Sequence, residues 1–351
     1  MTAAIALAEQ HDQAGRHDDA INALARAAQR GDIEAMTELG KRLVIGDRAP
    51  LLPQEGTQML VDGAMAGNAE AALRLAVLKA LGAHMPQDWR EAIGLLVFAA
   101  ERGSVSARKQ VAVLAGQPLE AAATTTDWGK LAERIDARFW RTAPAGATLS
   151  ATPLVRVFPE FVTDPICAWL IERAQPKLQR ALIYNPLSGK DIADHMRTNS
   201  AAGFDLMQAD VVQVAVQSRI SVATGIPLHH MEGATVLHYS PGEEITNHYD
   251  FVNPRIPHYE QELQERGQRI ATFLVYLNDD YEGGETDFPQ LGLRYHGGKR
   301  AGLVFSNALP DGQPDMRMVH AGLPPKNNEK WLMTQFIRNR AVLNVRSENY
   351  G

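Results

Sequence analysis

His248-Tyr249-Asp250 sets an imidazole and a carboxylate two residues apart. On an extended strand such residues point to one face, so both can reach a single ion. A second imidazole, His320, closes the run Arg317-Met-Val-His. Two histidines and one carboxylate on facing strands make the facial triad that holds non-haem Fe(II) and leaves further positions open. Three-ligand catalytic zinc sites use the same donors, so residue types alone fit either metal. Among 11 histidines, chance His-x-Asp pairs are common; His229, His230, His258 and His296 have no partner at a ligating spacing and read as loop or surface residues.

Such a triad needs facing strands. Val155-Arg-Val-Phe reads as a strand, and the segment from Asp164 to Ala174 as a helix with Asp164 as N-cap and Pro165 in its first turn. A further helix is predicted over 210–224. Strand-like runs follow over 234–239, 270–277, 303–306, 317–320 and 331–337, divided by turns rich in Gly, Pro, Asn and Asp. Helices first and strands afterwards, closing on themselves, predict a double-stranded β-helix (jelly roll) with supporting helices. The polar stretch 251–268, just after the His-x-Asp pair, is expected to lie over the site as a lid.

The first third repeats every 36 residues: Gly31, Gly67 and Gly103 are in phase, as are Leu24, Leu60 and Leu96, and Leu39, Leu75 and Val111. Gly46 and Gly82 mark a second turn in the first two copies. Each copy reads as two helices, with a Gly suited to a helix C-terminus. One such unit cannot bury its apolar face alone, so the copies are expected to stack into a short solenoid, either recruiting a partner or bracing the next domain. Residues 117–150 change character and read as loops around one helix over 127–140. The expected organisation is an α+β multidomain chain: repeats over 1–118, a linker with one helix over 119–152, the site-bearing domain over 153–342 and a tail over 343–351.

With 351 residues, 45% apolar and 22% charged, the chain has ample core for two folded parts. A net charge of −6 gives no basic field for nucleic acid. The lone Cys167 excludes a disulfide framework and a cysteine-rich zinc site. No apolar run is long enough to cross a bilayer, and the N-terminus lacks the pattern of a secretory signal, so a cytoplasmic, soluble protein is expected.

The repeat pattern Ala-Ala-x-x-Gly-(x)3-Ala resembles the Sel1-like repeats, relatives of tetratricopeptide repeats, over about residues 4–118. Farther on, Arg269-Ile-Ala-Thr-Phe-Leu-Val-Tyr-Leu-Asn278 and Gly283-Gly-Glu-Thr-Asp-Phe-Pro289 resemble the prolyl 4-hydroxylase family of 2-oxoglutarate-dependent Fe(II) dioxygenases. Met196-Arg-Thr-Asn-Ser and Ser218-Arg-Ile-Ser-Val-Ala-Thr-Gly-Ile-Pro227 extend that resemblance upstream, across roughly 153–342. It implies His248, Asp250 and His320 as iron ligands and Lys330 as the cation for the distal carboxylate of 2-oxoglutarate. It further implies Tyr239 and Thr286 as hydroxyl partners of that cosubstrate, and Glu232, Arg269 and Arg338 as residues facing the substrate.

Three positions depart from the family pattern. Asn328 replaces the Gly usual two residues before the lysine, Ile245 stands where Tyr is frequent, and Arg338 stands where a peptide-contacting His is frequent. The activity implied is hydroxylation of a prolyl residue in a protein or peptide, with O2 as oxidant and ascorbate as a helper. The alternatives are a hydroxylase of a free amino acid or small molecule, and a repeat-based interaction protein with a little-active barrel.

Overall fold

The computed structural model describes residues 2–185, 190–192 and 194–342; the expected tail over 343–351 lies outside them. Two compact units divide the chain, one holding Met1–Ala137 and Leu206–Ala215, the other Arg138–Asp205 and Val216–Leu343. No helix among the described residues is long and apolar enough to cross a membrane.

In the first unit, helices α1 (Ala3–Gln13), α2 (His17–Gln29), α3 (Ile33–Ile45), α4 (Pro53–Met65), α5 (Ala69–Leu81), α6 (Trp89–Glu101) and α7 (Val105–Leu114) follow one another as antiparallel neighbours. The 36-residue period is visible atom by atom. Gly31, Gly67 and Gly103 sit at φ of 87°, 94° and 86°, a left-handed conformation that a side chain resists. The next residue caps the following helix: Asp32, Asn68 and Ser104 accept the N–H of Ala35, Ala71 and Ala107 at 3.0, 2.8 and 3.2 Å. Leu24, Leu60 and Leu96 are all fully buried, as are Ala35, Ala71 and Ala107, whose small side chains let paired helices approach. Gly46 and Gly82 end α3 and α5 in left-handed conformation, as the second turn requires.

The helix expected over 127–140 is instead two short ones, α9 (Trp128–Ala132) and α10 (Ala137–Arg141), after α8 (Ala121–Thr124). Asp127 caps α9 by accepting Lys130 N–H at 2.9 Å, and the helix ends within five residues.

The second unit begins with strands β1 (Ala147–Ala151) and β2 (Leu154–Phe158), then α11 (Asp164–Ala174), β3 (Gln179–Arg180), β4 (Ile183–Asn185), β5 (Lys190–Ile192) and β6 (Ser200–Gly203). After α12 (Val211–Thr224) come β7 (Thr235–Tyr239), β8 (Ile245–His248), α13 (Glu260–Arg266), β9 (Arg269–Tyr276), β10 (Thr286–Phe288) and β11 (Leu293–Tyr295). β12 (Gly302–Ser306), β13 (His320–Gly322) and β14 (Lys330–Arg338) complete it.

An eight-stranded antiparallel sheet, ordered β1-β2-β12-β9-β14-β7-β6-β3, and a four-stranded one, β11-β10-β13-β8, make the jelly roll. Their inner faces supply one core: Val155, Val157, Leu237, Leu274, Phe288, Leu303, Phe305 and Leu332. α11 and the part of α12 that belongs to this unit, residues 216–224, support the larger sheet. Gln217 of α12 donates to Gln335 of β14 at 2.8 Å, both buried.

Local differences from expectation have local causes. Thr163, not Asp164, precedes α11, and Asp164 pairs with Lys299 at 2.9 Å. The run Arg317-Met-Val-His is not one strand: residues 316–318 form a 3-10 turn, capped by Asp315, and His320 opens β13. Cys167 is fully buried, and burial pushes its thiol up to about 12, which removes thiolate chemistry.

Candidate metal centre

Cross-strand pairing brings the two histidines together. His248, the last residue of β8, lies directly opposite His320, the first of β13, with ring centroids 4.3 Å apart. Asp250 is past the end of β8, so the two-residue alternation does not place it; the turn does. Its Oδ1 is 3.5 Å from His248 Nε2 and its Oδ2 3.4 Å from His320 Nε2. One ligand atom from each of the three lies within 4.8 Å of the others.

The tautomers follow from the backbone. His248 Nδ1 faces Thr246 O at 2.8 Å and His320 Nδ1 faces Met318 O at 3.0 Å. A carbonyl only accepts, so each Nδ1 carries its proton and each Nε2 turns a lone pair toward Asp250. Three electron-pair donors thus converge where a cation is required. Burial opposes charge on His320, yet Asp250 outweighs it and raises that pKa; burial, with His320, lowers His248. Burial alone would raise Asp250, but the two imidazoles hold its carboxyl well below the usual range. The donor set fits a divalent metal of the Fe(II) type.

Lys330 supplies the second feature. It is fully buried at the start of β14, opposite Tyr239 of β7, and its Nζ has no hydrogen-bond partner. Tyr239 and Tyr276 rings stand 5.0 and 5.9 Å from that nitrogen. Burial pushes the ammonium down to about 8, with Glu285 opposing. An unpaired buried ammonium is costly unless an anion joins it, so the site fits a carboxylate ligand.

The two residues expected beside that ligand both border Gly322 of β13. An added Cβ on Gly322 would sit 3.4 Å from Tyr239 Oη, and Gly322 pairs with Thr286 of β10. Tyr239 and Thr286 are buried.

Sequence reasoning missed Tyr276, whose hydroxyl is 2.8 Å from Thr286 Oγ1. Its signal was a polar aromatic in the inward register of β9. It also missed Arg197. Burial lowers that guanidinium's pKa while Tyr239 and Asp250 raise it and Arg269 lowers it, which makes those groups its electrostatic neighbours.

Glu232, Arg269 and Arg338 are closed on one another. Arg269 donates Nε and Nη2 to Glu232 at 2.7 and 2.9 Å, and Arg338 Nε donates to the same carboxylate at 2.6 Å. Arg338, fully buried, also donates to Gly267 O at 2.6 Å and to Glu262 of α13. Arg338 therefore has no exposed surface to offer a substrate, and Glu232 is only 3% exposed. Burial alone would raise Glu232, but Arg269, Arg338 and Arg266 hold it well below the usual carboxylate range. Glu232→Gln is expected to destabilise the chain by about 3 kcal/mol or more, since it strands buried guanidinium charge. Denaturant titration measures this, and an unchanged midpoint would make the cluster dispensable.

The other departures have structural reasons. Asn328 takes φ of 45°, a region Asn tolerates nearly as Gly does, and its Nδ2 donates to Asp280 O at 2.6 Å. Ile245 packs against the barrel core. The stretch 251–268 is clasped at its base: Gln268 accepts Val252 N–H at 2.7 Å and donates to Val252 O at 2.8 Å. His230 contacts the Arg338 carbonyl at 2.9 Å and the His296 ring lies tilted against Tyr281, with centroids 4.9 Å apart; neither belongs to the His248-Asp250-His320 group.

The sequence profile of the 2OG-Fe(II) oxygenase superfamily matches residues 234–338. With the jelly roll and the His-Asp-His site, that match defines a dioxygenase that uses Fe(II), 2-oxoglutarate and O2. The chain is 32% identical over 209 residues to a probable prolyl 4-hydroxylase 10 of Arabidopsis thaliana, covering 54% of this chain and 70% of that protein. It therefore belongs to the prolyl 4-hydroxylase family. Among solved structures it is similar to a viral collagen prolyl hydroxylase from Paramecium Bursaria Chlorella virus-1 (27% identity, 54% of this chain and 96% of that one, TM-score 0.41). It is also similar to a Sel1 repeat protein from Oxalobacter formigenes (24% identity, 38% of this chain and 55% of that one, TM-score 0.31).

Proposed function

We propose that this chain hydroxylates a prolyl residue in a protein or peptide, with His248, Asp250 and His320 holding Fe(II) and Lys330 holding the distal carboxylate of 2-oxoglutarate. The observation that carries the reading is the convergence of three lone-pair donors in a barrel that also buries an unpaired ammonium. When bound, iron with 2-oxoglutarate supplies the oxidising power for C–H hydroxylation by O2, leaving succinate and carbon dioxide.

The chain's own residues bind and orient. The Nδ1 contacts to Thr246 and Met318 lock both rings with Nε2 toward the metal. Lys330 Nζ, with the Tyr239 and Thr286 hydroxyls, fixes the far end of the cosubstrate in a water-poor interior, where a charge-assisted contact is strong. Arg269, braced by Glu232, has its guanidinium 4.0 Å from the Phe336 ring centroid and is assigned to substrate contact, while Arg338 braces Glu232 from behind. The helical repeats are assigned to holding the substrate protein, and ascorbate to keeping the iron reduced.

The ammonium of Lys330 sets a pH dependence. Only its protonated form attracts a carboxylate, and binding raises its pKa above the free value of about 8. Affinity for 2-oxoglutarate should be flat below pH 7.5 and fall as pH rises beyond 8, by up to about tenfold per unit. Calorimetry at pH 7 and 9 checks this, and a constant Kd would contradict the assignment.

The function itself is tested by succinate release. Fe(II), 2-oxoglutarate and proline-containing peptides should give turnover that the peptide stimulates. Mass spectrometry of cells lacking the protein should show prolyl peptides that have lost the mass of one oxygen atom. Stimulation by free amino acids alone would overturn the peptide reading.

A further inference from the structure

Asp250 Oδ2 accepts a hydrogen bond from Thr272 Oγ1 at 2.7 Å, and Asn307 Nδ2 donates to that same Oγ1 at 2.9 Å. Thr272 lies on β9 and Asn307 just after β12; each is 1% exposed. The direction of this chain is forced. An ionised carboxylate only accepts, so the single threonine proton must go to Asp250. Thr272 Oγ1 must then accept from its other neighbour, which requires the amide NH2 of Asn307, not its oxygen, on that side.

Asn307 is held from both ends of its backbone: its N–H donates to Ile270 O at 2.8 Å and its carbonyl accepts Asp315 N–H at 3.0 Å. Its Oδ1 is buried with no hydrogen-bond partner. An unpaired buried acceptor is costly, and the contact to Thr272 is what the side chain gives in return.

We propose that Asn307 and Thr272 form a positioning relay that aims one hydroxyl proton at Asp250 Oδ2, fixing the carboxylate's rotation and leaving Oδ1 for the metal. The inference rests on the proposed role of Asp250 as a ligand. Thr272 and Asn307 are positioning residues: they act through Asp250 and touch no reactant.

The test is Mn(II) binding to the full chain, read without turnover. Thr272→Val keeps the shape and removes the hydroxyl, and should weaken Mn(II) about 10–100-fold, the usual range for outer-shell partners. Thr272→Ser keeps the hydroxyl and should stay within about threefold of the unaltered chain. Asn307→Asp keeps the shape but sets an acceptor against the threonine oxygen, and should weaken binding about tenfold or more.

A packing role predicts the reverse order, with Val and Asp tolerated and Ser harmful. Unchanged affinity in Thr272→Val overturns the relay. Should that variant not fold, Ser and Asp decide: retention in Ser with loss in Asp supports the relay, and any other pairing overturns it. His248→Ala separates the two levels. If it binds Mn(II) normally, the triad reading itself fails; if it loses Mn(II) while Thr272→Val keeps it, only the relay fails.

Discussion

Asp250→Ala and His248→Ala should each lower turnover by more than about three orders of magnitude while the chain stays folded. Loss of one donor from a three-ligand set removes the metal, and all of the oxidation chemistry belongs to the metal. The fold does not depend on it. His248 and His320 are held by strand pairing between β8 and β13, and the core is aliphatic and aromatic. Circular dichroism and thermal melts should match the unaltered protein in both variants. Turnover near the original level in either variant would remove that residue from the site.

Lys330→Met should act in opposite directions on binding and stability. Without ligand, Lys330 buries an ammonium that has no hydrogen-bond partner, at 0% exposure. Met is one atom shorter and carries no charge, so the ligand-free variant should be more stable, by about 1–4 kcal/mol, the range seen when buried ion pairs are replaced by apolar groups. With ligand, the distal carboxylate of 2-oxoglutarate would lie buried and unpaired. Truncating one partner of a buried charge pair costs about 2–5 kcal/mol, or about 30-fold to several thousandfold in Kd. Metal affinity should not change. A variant both less stable and equally able to bind 2-oxoglutarate would mean that the lysine is structural.

The types of His248, Asp250 and His320, read together with the family resemblance, marked a candidate metal centre, and the 36-residue period marked the repeats. The His-x-Asp pair is carried by residues close in sequence and the repeats by a fixed phase. His320, on a strand remote in sequence, was tied to the pair by the family resemblance. What stayed hidden depends on contacts between distant strands. Thr272 reads as an ordinary strand threonine until Asn307 is seen beside it, and Tyr276 as barrel core until it meets Thr286. Arg338 was expected to face the substrate because it stands where a peptide-contacting His is frequent in the family; its burial against Glu232 and Glu262 depends on the placement of α13, which no local pattern announced. His320 opens its strand, although the run before it has strand-like composition, because Asp315 caps a turn there. Asn328 shows the converse: a departure from pattern that preserves the conformation the pattern encodes.

The central claim is that three side chains hold a ferrous ion and a buried amine holds the far end of a keto diacid. Anaerobic calorimetry of the intact chain tests it most directly, titrating Fe(II) first and 2-oxoglutarate second. One equivalent of iron should bind, followed by one equivalent of 2-oxoglutarate; without iron, or in His248→Ala, the second binding should be far weaker, and Lys330→Met should bind iron normally but 2-oxoglutarate poorly. Tight 2-oxoglutarate binding that ignores the metal, or that survives in Lys330→Met, would contradict the account.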